Sequence, residues 1–160
     1  MILFILMIII LIILAIIFNK PIYNNSNYNL YNYTSKKYIM TQTELTFFRN
    51  LKIITDELNL LIFPQVNLER IIQTKNSNNS DRNRIKSRSI DYTIVNNKNC
   101  KIIACIELDD YTHNRESVKK NDEFKDLIFK QTNIPLLRIR VSNDYNLEEI
   151  EKILQDLIKN

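Results

Sequence analysis

Three acids carry the strongest chemical signal in this sequence. Asp91 stands in the run Ile90-Asp91-Tyr92, and Glu107 and Asp109 stand in Ile106-Glu107-Leu108-Asp109. Glu107 and Asp109 close an otherwise apolar run two residues apart, so on a strand they share a face. A hairpin turn centred near Lys98 sets Asp91 opposite Cys105, on that same face and diagonal to Glu107, at roughly 7 Å between Cβ atoms. Carboxylates so spaced can converge on one divalent cation through oxygen bonds of about 2.1 Å. Mg²⁺ or Mn²⁺ held this way keeps bound water, polarises a phosphoryl oxygen and activates an attacking water. Without the metal, paired acids would repel a phosphodiester. A one-residue slip in register would turn the acids apart, so the geometry depends on the turn. The competing reading is three acids solvated at strand ends.

The elements that must position these acids are legible in the apolar pattern. Thr41-x-x-Glu44 is a capping-box signature, and Leu45, Phe48, Leu51, Ile54 and Leu58 form a stripe, which predicts a helix from Thr41 to about Leu58. Leu60 to Leu68 reads as a strand, with Pro64 placing it at an edge or bulge. Residues 73–89 are polar and predict a long loop. Ile90 to Asn96 and Lys101 to Leu108 read as strands joined by a turn at 96–99. Residues 115–131 read as a charged amphipathic helix with Phe124, Leu127 and Ile128 inward, and Ile134 to Val141 as a further strand. Asn146 caps a last helix with Glu149 in the box position, and Leu147, Ile150, Ile153, Leu154, Leu157 and Ile158 face inward. The order α-β-β-β-α-β-α, with a helix between the third and fourth strands, predicts an α/β domain with a mixed sheet covered by helices on both faces.

The pattern D-x₁₅-E-x-D in a strand-turn-strand setting resembles the PD-(D/E)XK nuclease superfamily. The stretch IELDDYTH, followed by Asp122-x-x-Lys125 and IPLLRIRV, is similar to a bacterial family of uncharacterised domains in that superfamily, related in pattern to the very-short-patch-repair endonucleases. MTQTELTFFRNL and IFPQVNL look like that family's opening helix and first strand, so the resemblance spans roughly residues 40–140. It implies a restriction-endonuclease-like αβββαβ core, Mg²⁺ or Mn²⁺ as cofactor, and Asp91 and Glu107 as metal ligands, with Asp109 as a further candidate. The superfamily's usual lysine, two residues after the glutamate, is replaced here by Asp109. The repair enzymes also lack that lysine and use a nearby histidine, a place that His113 fits as general acid or base. The alternative for His113 is a surface residue at a helix start. Lys125 lies on one helical face with Asp122 and is either a migrated lysine or half of a surface ion pair. Glu44 is either the capping-box acid or an acid of the first helix that joins the metal site. Arg138 and Arg140 alternate on the last strand and either face phosphate or keep an edge soluble.

Composition narrows the rest. The chain of 160 residues has no glycine, where usage of about 7% would give roughly eleven. That excludes Gly-rich phosphate loops and the G-x-S-x-G nucleophile elbow, and leaves tight turns to Asn, Asp and Ser. Cys100 and Cys105 are too few for a disulfide scaffold, and one histidine leaves no Cys/His zinc set. On one strand, five residues apart, the two thiols point to opposite faces and read as buried and reduced. The net charge of +4 is matched by residues 73–89, where Lys75, Arg82, Arg84, Lys86 and Arg88 stand against Asp81 alone. This segment leads into Asp91 and reads as a contact for nucleic acid, DNA by the resemblance, with anionic lipid or plain solvation as rivals.

Residues 1–18 are apolar without a break and, at about 1.5 Å per residue, give roughly 27 Å, enough to span a bilayer core. No small-x-small cleavage site follows in Asn19-Lys20-Pro21, which argues against a signal peptide. Lys20, Lys36 and Lys37 lie only on the C-terminal side, which predicts a single-pass membrane protein with its C-terminal domain in the cytoplasm. The Asn- and Tyr-rich stretch 19–40 reads as a tether and 41–160 as the nuclease-like domain. The expectation is a membrane-anchored, metal-dependent nuclease, against a catalytically degenerate nucleic-acid-binding or membrane-surface module.

Overall fold

The computed structural model describes residues 7–14, 33–75, 79–109 and 116–159, with the helical backbone alone for 116–121. The chain divides into two compact units, Met1–Lys37 and Tyr38–Asn160. In the first, residues 7–14 are helical and their apolar side chains are exposed, Leu11 at 57%. The remainder of the expected span 1–18 and most of the tether lie outside the described residues. Among the described residues, no helix is long and apolar enough to cross a membrane.

The second unit runs α1 (Gln42–Glu57), β1 (Leu60–Asn67), a 3₁₀ turn (Leu68–Arg70), α2 (Asn79–Lys86), β2 (Ser89–Asn96), β3 (Ile102–Asp109), α3 (Glu116–Thr132), β4 (Leu136–Arg140) and α4 (Leu147–Lys159). The four strands form one mixed sheet in the order β1-β2-β3-β4. β1, β2 and β3 pair antiparallel, and β4 joins β3 in parallel after the α3 crossover. The mixed α/β class and the expected order of major elements are present. One expectation is corrected: residues 73–89 are not all loop, because α2 forms within them. Its single apolar residue, Ile85, is buried against Leu68, Ile72 and Phe129, so one anchor docks an otherwise polar helix.

Two apolar clusters cover the sheet. Phe47, Leu51 and Ile54 of α1 and Ile150 and Leu154 of α4 pack with Tyr92, Ile94, Ala104 and Ile106. Ile85 of α2 and Phe129 of α3 pack with Leu68 and Cys105. Neighbouring residues Ala104, Cys105 and Ile106 thus serve opposite clusters, as the pleat requires. Burying each large side chain of this kind contributes about 1.5–3 kcal/mol. The α1 stripe is rotated relative to expectation, with Phe47 fully buried and Leu45 only partly so. In α3 Phe124 and Ile128 face inward as expected and Phe129 is buried with them, whereas Leu127 is 68% exposed. Ile158, expected inward on α4, is 39% exposed at the helix end.

The N-termini of α1 and α4 are capped as their sequences predict. Thr41 and Glu44 form the full reciprocal capping box, and the Asn146 side chain accepts from the Glu149 amide at 3.2 Å. Without glycine, four of the described residues take left-handed backbone: Asn59, Gln65, Cys100 and Asn133. Asn133 ends α3 in a Schellman arrangement, with Ile134 N–H on the Phe129 carbonyl and Asn133 N–H on that of Lys130. Cys100 corrects the expectation of two thiols buried on one strand. It is exposed in the turn, at φ 56°, because the Asn96–Lys101 connection needs a left-handed residue just before β3.

Candidate active site

The site lies where the sheet forks. The β2–β3 pairing has Thr93 opposite Cys105 and Tyr92 opposite Ile106. Continuing that register sets Asp91 directly opposite Glu107. Beyond this point β2 stays with β1, Ile90 facing Val66 and Ser89 facing Asn67. β3 stays with β4, Glu107 facing Arg138 and Asp109 facing Arg140. The Leu108 N–H, left without a β2 carbonyl, donates to Asp91 Oδ2 at 2.9 Å. The expected register, Asp91 opposite Cys105, is corrected by two residues. One comes from the turn, where Asn96 N–H bonds the Lys101 carbonyl, and one from a bulge between Ile94 and Val95. A shift of two leaves the face unchanged, so Asp91 and Glu107 remain on one face of the sheet.

Asp91 is held from two sides. Besides Leu108, its Oδ1 accepts from Gln65 Nε2 at 3.2 Å. The same Gln65 nitrogen donates to Glu44 Oε1 at 2.9 Å, while Glu44 Oε2 accepts from the Thr41 N–H. Glu44 is therefore the capping-box acid, and the Gln65 amide links it to Asp91. Tyr92 Oη donates to the Glu44 carbonyl at 2.6 Å and pins α1 to β2 beside Asp91. Burial pushes the Asp91 carboxyl above its ordinary range; Leu108 counters this, and the Glu44 charge adds to it.

Glu107 is buried at 7% exposure. Its Oε2 accepts from Lys125 Nζ at 2.7 Å, whereas Oε1 is buried without a hydrogen-bond partner among the described residues. Burial pushes its carboxyl up, Lys125 pulls it down, and Asp91 raises it again. Lys125 is thus neither a surface residue nor paired with Asp122: α3 carries it inward to the acid of β3. Asp109 shares the face but is bonded to Arg138 Nη1 at 2.8 Å. Arg138 also donates from Nε to Asp126 Oδ1 at 2.9 Å and from Nη2 to the Asp122 carbonyl at 3.4 Å. Arg138 therefore ties β4 to α3 and to the end of β3 and is committed to protein acids. His113 lies outside the described residues. Gln65 had no signal in residue type or spacing beyond its place after Pro64; its left-handed backbone, φ 53°, marks it only in the structure.

Among the described residues no three His, Cys, Asp or Glu side chains are gathered to hold a metal ion. The donor set on offer is two carboxylates, Asp91 and Glu107. That suits Mg²⁺, which commonly takes one or two carboxylates and keeps waters at its other positions. The orphaned Glu107 Oε1 and the facing like charge of Asp91 are what a bound cation would relieve. On the α2 side, Arg82 pairs with Glu69, while Arg84 and Lys86 are exposed near the chain's entry into β2.

No curated protein and no solved structure is matched by the chain. Residues 36–157, most of the chain and nearly all of the second unit, match the model of a family described as Protein of unknown function (DUF2726), and the protein belongs to that family.

Proposed function

We propose that the domain is a divalent-metal-dependent nuclease of restriction-endonuclease-like build, acting on nucleic acid, DNA in the first instance. One observation carries the reading. By continuation of the β2–β3 register Asp91 falls opposite Glu107 where the strands part, with Lys125 on Glu107, and the major elements follow the order αβββαβ with the short α2 inserted after β1. Asp91 and Glu107 would hold Mg²⁺ or Mn²⁺, which supplies Lewis-acid polarisation of phosphate and an activated water. Lys125 favours the charged form of Glu107 against its burial and adds positive charge where the phosphate's negative charge grows. It stands in space for the lysine that Asp109 displaces in sequence. Arg84 and Lys86 approach the phosphate backbone. Residues 1–18 hold the domain at the cytoplasmic face of a membrane. Asp109, bound by Arg138, positions α3 and β4, and His113 is the remaining candidate for proton transfer.

The test uses the full-length protein in mild detergent with plasmid and single-stranded DNA, in Mg²⁺, Mn²⁺ or EDTA. Metal-dependent cutting is expected, lost by about 100-fold or more in Asp91→Ala and Glu107→Ala and by roughly 10- to 1,000-fold in Lys125→Ala. Absence of cutting together with absence of Mn²⁺ binding by calorimetry would overturn the nuclease reading. It would favour a nucleic-acid-binding module that kept the fold, which the Asp109–Arg138 pair at the usual lysine position suggests.

A further inference from the structure

We propose that Gln65 is a positioning residue: its side-chain amide fixes Asp91 for metal binding by joining it to Glu44. The proposal rests on the reading of Asp91 and Glu107 as metal ligands. Three observations carry it. First, β1 pairs with β2 in one unbroken register on both sides of Gln65, Pro64 with Tyr92 and Val66 with Ile90. Gln65 is thus the residue facing Asp91, and it alone leaves extended geometry, at φ 53°. Left-handed backbone is unfavourable for a residue with a Cβ and persists where its surroundings enforce it. Asn serves that geometry elsewhere in this chain, at Asn59 and Asn133, so the choice of Gln here is not explained by the turn.

Second, the amide is spent on acids. Nε2 donates to Glu44 Oε1 at 2.9 Å and to Asp91 Oδ1 at 3.2 Å, and Oε1 lies 3.5 Å from Ser89 Oγ, which donates to it. An ionised carboxylate accepts only, so two of them fix which end of the amide faces inward. A neutral donor with two N–H groups binds both acids without supplying a positive charge that would compete with the cation. Third, Asp91 is also held by the Leu108 N–H on Oδ2. Leu108 and Gln65 together set the carboxylate plane opposite Glu107, whose own Oε1 has no hydrogen-bond partner among the described residues. Groups that orient a metal's ligands typically account for about 10- to 100-fold in metal affinity or activity.

The experiment compares wild type with Gln65→Gly, which accepts the left-handed backbone, and Gln65→Met, which keeps the side-chain length and has no donor. Full-length proteins are titrated with Mn²⁺ by calorimetry and assayed on DNA. Both variants are expected to bind Mn²⁺ about tenfold or more weakly and to lose roughly 10- to 100-fold in kcat, with KM for DNA within about twofold. A circular-dichroism melt confirms that the variants compared are folded; either one suffices. Wild-type Mn²⁺ binding with affinity and kcat in the folded variants within about twofold of wild type would overturn the role of Gln65 alone. Wild type that binds no Mn²⁺ would overturn the metal-site reading and this role with it.

Discussion

Each residue of the site is costly to the fold, and that cost is measurable. Asp91 and Glu107 face one another in a partly dry fork, and burial raises both carboxyls. A carboxyl raised in the folded state holds its proton longer than in the unfolded chain. The stability it contributes is present below the unfolded pKa and is lost as pH rises through the folded one. In EDTA, thermal stability is therefore expected to fall as pH rises above the ordinary carboxylate range. Asp91→Asn should flatten that slope, while abolishing the proposed metal-dependent activity. An unchanged pH slope in Asp91→Asn melts would sink this account. Asp91 and Glu107 were readable from spacing because alternation on a strand survives a register error of two. Lys125 on Glu107 was not, because helical periodicity gives the face of α3 and not which strand that face meets. Cys105 shows the same division: its apolar run predicts burial, which pushes the thiol up to about 12. Cys100, in the same run of sequence, is exposed.

At the scale of elements, α2 is the informative surprise. Its eight residues include Arg82, Arg84 and Lys86, and only Ile85 is buried. Low apolar content reads as loop in sequence, yet one anchoring side chain and the neighbouring 3₁₀ turn suffice to hold a short helix against the sheet. The consequence is that the basic charges ride on a fixed element leading into Asp91 and not on a free coil. Neutralising Arg84 and Lys86 to Gln should weaken DNA binding evenly across sequences. It should also reduce the slope of log affinity against log salt by about 0.9 per charge on duplex DNA. A slope equal to that of wild type would remove α2 from the phosphate interface.

For the whole molecule, the apolar run 1–18 predicts that the full chain resists extraction from membranes by alkaline carbonate. A C-terminal tag should be digested by protease only after permeabilisation. Carbonate release would overturn the anchor, and digestion in intact cells would overturn the orientation. What the sequence by itself determined is the content of the domain. Apolar periodicity, two cap motifs and the alternation around Asp91 and Glu107 are local properties, each set by neighbours within a few residues. They were enough for the α/β class, the order of the major elements and the face on which the acids lie. The tertiary structure alone decided what meets what. The bulge at Ile94 and Val95 brings Asp91 level with Glu107. The parting of β2 from β3 opens the fork, Gln65 crosses from β1 to join two acids, and Arg138 binds Asp109. These contacts join residues far apart in the chain, so they depend on register and strand divergence, which nearest-neighbour patterns do not encode.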